Sequence, residues 1–78
     1  MSLRSTKRSI PGLAERVRAL RTKLGLSQQV AATRAAMSTN RLRDLERHGL
    51  ATTETLGRVA KVLGVHVDDL TGRKVEGA

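Results

Sequence analysis

Apolar positions recur along this chain at helical spacing, broken by residues that start and stop helices. Leu13, Val17, Leu20 and Leu24 form one stripe, which predicts a first helix with Pro11 well placed at its start and Gly25 as its C-cap. Ser27 can cap a second helix with Gln28 and Gln29 in its first turn, running to about Arg34 or Ala35. On that helix Ala31, Ala32 and Ala35 present small side chains to one face, where another helix can cross closely. Leu42 and Leu45 anchor a third, from Ser38 to about Arg47, which His48-Gly49 ends. Leu56, Val59, Ala60 and Leu63 give a fourth its inner stripe, between a cap at Thr52 or Thr53 and a stop at Gly64. His66 to Leu70 predicts a short fifth helix, with Asp68 and Asp69 near the positive end of its dipole. The expected fold class is therefore all-α, a compact five-helix domain.

Residues 28–47 are the part that the rest is organised around. They predict two short helices joined by a tight turn. Ser38 is a good N-cap residue, and Met37 and Leu42 have the N′-to-N4 spacing of a hydrophobic staple. With only Leu42 and Leu45 turned inward, Thr39, Asn40, Arg41, Arg43, Asp44 and Arg47 fall on other faces. A short helix with two core anchors and that outer face is built for presentation to a partner.

Charge sharpens this picture. The chain carries 15 Lys and Arg against 7 Asp and Glu, net +8. Residues 1–50 hold 11 basic and 3 acidic groups and residues 51–78 hold 4 of each, so the whole positive field belongs to the half containing the helix pair. A polyanion is the natural partner; the bland alternative is a solvated basic surface. Residues 1–10, with Arg4, Lys7 and Arg8, predict a flexible basic arm, either a disordered terminus or a segment lying on phosphates or in the minor groove. Residues 11–71 form the domain, and residues 72–78 a frayed tail.

Composition excludes other classes. At 78 residues the chain is one small domain, burying only about 60–65% of its unfolded surface, so a partner subunit would help it. With no aromatic residue, it lacks the stacking platforms of single-strand and RNA-binding surfaces. No Cys is present, which removes disulfides and thiolate metal sites. Neither a membrane-length apolar run nor a signal-peptide core is found, pointing to the cytoplasm. The adjacent Asp68 and Asp69 do not converge and have no third ligand, and His48 and His66 lie on different elements. No nucleophile motif or phosphate loop occurs, so neither catalysis, a metal nor a cofactor is expected, and no small-molecule ligand is evident.

The run Leu24–Gln28 (LGLSQ), Ala32, the Leu42 and Leu45 pair, Glu46-Arg47 and the segment Glu54–Leu70 resemble the helix-turn-helix repressors of the Cro and phage-repressor type. The resemblance spans roughly Leu13 to Leu70. It implies a repressor-like fold and DNA binding, a structural ion pair between Arg21 and Glu46, and a backbone contact from Gln28. Three positions depart from the pattern: Ala36 stands where the family usually has a turn glycine, Ala31 where it has a larger apolar residue, and His66 where Ser or Thr caps the last helix.

The leading expectation is a sequence-specific regulator of transcription, a repressor acting as a homodimer on a palindromic duplex operator. Asn40 can pair bidentately with adenine, Arg43 or Arg41 with guanine, and Thr39 offers a hydroxyl and a methyl. Asp44 either accepts from cytosine or orients Arg41 or Arg47. Arg16, Arg18, Ser27, Gln28, Gln29, Ser38 and Arg47 are expected on the DNA backbone. The neutral second half suggests a dimer contact through Leu50, Val62, Val65 and Val67. An antitoxin or protein-interaction adaptor of the same fold is the alternative. A membrane-active chain lacks the long amphipathic helix and the Trp or Phe it would need.

Overall fold

The computed structural model describes residues 7–72. In chain order it contains β1 (Arg8–Ser9), α1 (Leu13–Lys23), α2 (Gln28–Arg34), α3 (Thr39–His48), β2 (Leu50–Ala51), α4 (Thr53–Leu63) and α5 (Val67–Thr71). The five helices stand where the hydrophobic pattern predicts them, and the caps explain why. Ser27, Ser38 and Thr52 each accept a hydrogen bond from the amide three residues on, at 3.1 Å in every case, satisfying one of the donors a helix start leaves unpaired. At His66 the cap works in the other direction: the Asp69 carboxylate accepts the His66 amide at 3.0 Å.

The start of α1 differs from expectation. Pro11 is not its first residue. The Leu13 amide donates to the Ile10 carbonyl at 3.1 Å, and Gly12 has φ 78° and ψ −4°. Pro followed by a glycine in that conformation makes the centre of a type II turn, after which the helix begins. The other end of α1 differs as well. Its last helical residue is Lys23, so Leu24 falls at the cap and is 52% exposed, outside the stripe begun by Leu13 and Val17.

Part of the predicted arm is ordered. Arg8 and Ser9 pair antiparallel with Ala51 and Leu50, and the Ile10 amide donates to the Gly49 carbonyl at 3.0 Å. Gly49 makes this approach possible: it is left-handed at φ 68°, and a Cβ there would lie 3.3 Å from the Ile10 carbonyl oxygen. The alternating pattern that marks a strand is too short to read in two residues, which is why the sequence shows no ribbon. Residues 1–6 of the arm and 73–78 of the predicted tail lie outside the described residues.

One core joins all five helices. Leu13 and Val17 of α1, Ala31 and Ala32 of α2, Leu42 and Leu45 of α3, four residues of α4 and Leu70 of α5 are buried together, with Ala51 from the ribbon. Without aromatic side chains the helices must approach closely, and the alanines of α2 permit it. Arg16 adds a polar tie across the domain, donating to the Pro11 carbonyl at 3.0 Å and the Leu70 carbonyl at 3.3 Å.

Candidate nucleic-acid interface

The position of α3 is fixed from three sides. Leu42 and Leu45 enter the core, and Met37, just before the Ser38 cap, packs against that core. The third restraint is ionic. Glu46 is buried, with 1% of its side chain accessible, and its carboxylate accepts from Arg21 Nε at 2.6 Å, Arg21 Nη2 at 2.9 Å and Gln28 Nε2 at 3.2 Å. Arg21 also donates to the Leu26 carbonyl at 2.8 Å. A buried carboxylate is tolerable only when its lone pairs are filled in this way. The bidentate fork suits guanidinium and carboxylate geometry, and this hydrogen bonding to Glu46 raises the Arg21 pKa further above its ordinary value, with burial opposing. The ion pair ties α1 to α3, and the Gln28 hydrogen bond brings α2 to the same carboxylate.

The outer face of α3 is left open. Asn40, Arg41, Arg43 and Arg47 are exposed, and Thr39 is half-buried. Among the described residues none of these five side chains makes a hydrogen bond or ion pair, so their donors are available to a partner. Exposed Gln29, at the start of α2, is likewise unpaired among the described residues, while Ser27 and Ser38 are exposed and act as caps.

Several candidate residues are placed differently from the expectation. The Arg16 guanidinium is turned to carbonyls of the α1 start and the α5 end, so it serves as an internal tie. Gln28 is drawn inward by Glu46. Arg18 is 63% exposed but also donates to the main-chain carbonyl of Glu46 at 3.2 Å. Asp44 orients neither Arg41 nor Arg47: its carboxylate lies 3.6 Å from His48 Nε2 and 3.9 Å from Lys7 Nζ, on the ribbon side of α3. Leu50 belongs to β2 and lines a hollow with Lys7, Arg41 and Asp44. Val62 lines a groove with Arg34, Ala35 and Lys61, and Val65 is half-buried against the core. Strand pairing with Ser9 holds Leu50 beside α3.

The joint between α2 and α3 rests on a hydrogen bond that sequence pattern does not reveal. Ala36 is left-handed at φ 57°, and its carbonyl accepts from Arg58 Nη1 of α4 at 3.0 Å. Glu54 grips the same guanidinium at 2.9 Å. The Glu54–Arg58 spacing of four on one helix was the available signal, but nothing in it points across to the turn.

Among the described residues no group of three metal-ligating side chains converges, and no helix is long and apolar enough to cross a membrane. Comparison with known proteins agrees with the geometry. The helix-turn-helix family model matches residues 17–70. Among solved structures the chain is similar to hydroxypropylphosphonic acid epoxidase from S. wedmorenis, at 28% identity and TM-score 0.71, covering 85% of this chain and 36% of that one. It is also similar to that epoxidase in complex with fosfomycin (26%, TM-score 0.71, 82% and 35%). A third similar chain is FeII HppE in complex with substrate (27%, TM-score 0.69, 77% and 35%). This chain thus spans about a third of the length of the solved chains it matches. No curated protein matches it. With α2, the turn at Ala36 and α3 locked by Arg21 and Glu46 inside the matched span, the chain belongs to the helix-turn-helix DNA-binding family, of the Cro and phage-repressor type.

Proposed function

We propose that this protein is a sequence-specific regulator of transcription that reads duplex DNA with α3 in the major groove, as a repressor and as a two-fold dimer. The observation that carries the reading is the open outer face of α3: among the described residues Thr39, Asn40, Arg41 and Arg43 have unpaired polar heads, on a helix whose inner face is locked. A rigid element with free donors meets the first requirement of base readout, because geometry discriminates only when it is held. Asn40 reads adenine and Arg41 or Arg43 guanine. Arg18, Ser27, Gln29, Ser38 and Arg47 flank that helix and position it on phosphates. Asp44, held towards Lys7 and His48, keeps a secondary place among the readers.

Val62, Val65 and Val67 carry the dimer contact in this proposal, Val67 being 36% exposed. A symmetric pair would set the two α3 helices about 34 Å apart, one turn of DNA. Selection of bound duplexes from random sequence tests both statements. Enrichment of a palindrome with that spacing is the expected result. A lack of any enrichment overturns sequence-specific binding, and a monomeric mass at micromolar concentration with and without the selected duplex overturns the dimer.

A second reading has one specific observation behind it. The similar solved chains are enzymes in which the matched part is about a third of the length, and fold alone does not dictate function. In that reading the domain is a protein-interaction module, an adaptor or an antitoxin, and DNA binding is auxiliary. It predicts no enrichment in the selection and a protein partner that copurifies.

A further inference from the structure

We infer that Arg58, on α4 and outside the helix pair, is a positioning residue for base readout, acting through the α2–α3 turn. The inference rests on the reading that α3 contacts bases. The turn carries an intrinsic penalty, since Ala36 occupies a left-handed conformation that Cβ disfavours. Among the described residues its carbonyl has no backbone donor outside the helices and finds its donor in Arg58, 22 residues later, at 3.0 Å. The same guanidinium is held from behind by Glu54 at 2.9 Å. A planar fork gripped at one edge and donating at the other fixes a direction as well as a distance. The residues next to this hydrogen bond, Met37 and Ser38, start α3, and the hollow beneath Arg58 is lined by Met37, Ser38 and Arg41. Moving the Ala36 carbonyl therefore changes how α3 leaves the turn, and with it where Asn40 and Arg41 point.

A positioning role and a phosphate contact differ in their signatures. Removing a phosphate contact weakens binding to all DNA and reduces the salt slope by about one. Removing a positioning group reduces discrimination and leaves the slope alone. Glu54→Ala makes the contrast sharper, because it removes a negative charge while releasing Arg58. Electrostatics alone predicts tighter binding to selected and unrelated duplexes alike, with their ratio unchanged.

The experiment measures affinity for the duplex selected by the wild-type chain and for an unrelated duplex, across salt, with thermal melts to confirm folding. Arg58→Ala should lower the ratio of specific to non-specific affinity by on the order of two- to tenfold, the scale of one hydrogen bond, with the salt slope retained. Arg58→Lys, which keeps the charge but reaches only one acceptor, should recover part of the ratio. Glu54→Ala should bind unrelated DNA more tightly and yet discriminate less. A reduced slope with an unchanged ratio in Arg58→Ala, or an unchanged ratio in Glu54→Ala, overturns the inference. Asn40→Ala is the control on the underlying reading: if it too leaves the ratio intact, α3 is not the reader and the proposed function fails, whereas a reduced ratio there with none at Arg58 rejects this inference alone.

Discussion

Helices α3 and α4 are built by the same local rules and put to opposite use. Each begins at a hydroxyl cap that accepts the amide three residues on, Ser38 in one and Thr52 in the other. Each ends at a left-handed glycine, Gly49 or Gly64. Their lengths are 10 and 11 residues, so neither propensity nor capping distinguishes them. Burial does. Helix α4 buries Thr55, Leu56, Val59, Ala60 and Leu63, while α3 buries only Leu42, Leu45 and Glu46. What α3 lacks in apolar area it recovers in part through one ionic lock, which frees its remaining faces. A helix that must be presented cannot also be deeply packed, and a buried carboxylate with a bidentate partner resolves that conflict.

The contrast breaks most visibly in α4. Leu56→Ala removes a side chain that is 2% exposed and touches the shared core, and it should destabilise the domain by about 2–5 kcal/mol. In so small a domain that is a large part of the total, and thermal unfolding would report it. Arg43→Ala on the open face of α3 should leave the same melt within about 0.5 kcal/mol.

Next in size is the lock itself. Glu46→Ala takes the shared carboxylate from Arg21, with only 15% of its side chain accessible, and from Gln28, leaving Arg21 only the Leu26 carbonyl. It should cost about 3 kcal/mol, the lower end for breaking a buried pair from one side. Because hydrogen bonding to Glu46 raises the Arg21 pKa, the stability contributed on the Arg21 side is full below the ordinary arginine pKa. It is lost only as pH rises through a still higher value. The Arg21 charge therefore adds no pH dependence to denaturant midpoints measured between pH 7 and 9; a fall in the stabilising contribution of Arg21 over that window would contradict the raised pKa.

The open face sharpens the comparison from the other side. Asn40→Ala and Arg43→Ala should each cost about 1–3 kcal/mol on the selected duplex and little on unrelated DNA. Arg18→Ala or Arg47→Ala should weaken both and flatten the salt slope by about one for each phosphate left without its cation. Asn40 is the stricter case, since its replacement leaves net charge unchanged. Equal ratios of specific to non-specific affinity before and after both α3 substitutions would reject readout by this helix.

These positions also mark how far sequence pattern carries. Helix existence was legible, because stripes such as Leu56, Val59, Ala60 and Leu63 repeat the helical period and Ser or Thr caps punctuate them. The open face of α3 was legible too, as the complement of its two leucines. Long polar side chains were not, since periodicity gives the face from which Arg16, Gln28 or Asp44 departs but not the carbonyl or carboxylate that its flexible end finds. The ribbon of Arg8–Ser9 with Leu50–Ala51 depends on a pairing some forty residues apart and on two residues a side, below the length at which alternation carries information. Arg58 was hidden for the same reason: its partner is a backbone atom on another element.

The smallest expected effect concerns how helices end. Helices α1, α2 and α4 close with one hydrogen-bond pattern, in which two consecutive amides after the last turn reach back to carbonyls three and five residues earlier. After α1 these amides belong to Gly25 and Leu26, after α4 to Gly64 and Val65, and after α2 to Ala36 and Met37. The first of each pair is left-handed, at φ 73°, 71° and 57°. Glycine carries no Cβ penalty there, whereas alanine costs about 1–2 kcal/mol. Ala36→Gly removes that penalty but gives the unfolded chain more freedom, which offsets about 0.4–1 kcal/mol. The net should be a stabilisation of about 0.5–1 kcal/mol, read as a higher denaturant midpoint with an unchanged slope. Clear destabilisation would mean that Ala36 is helical in solution and that the turn lies elsewhere. The alanine end of α2 would then no longer be a strained counterpart of the glycine ends of α1 and α4, and the need for Arg58 at its carbonyl would go with it.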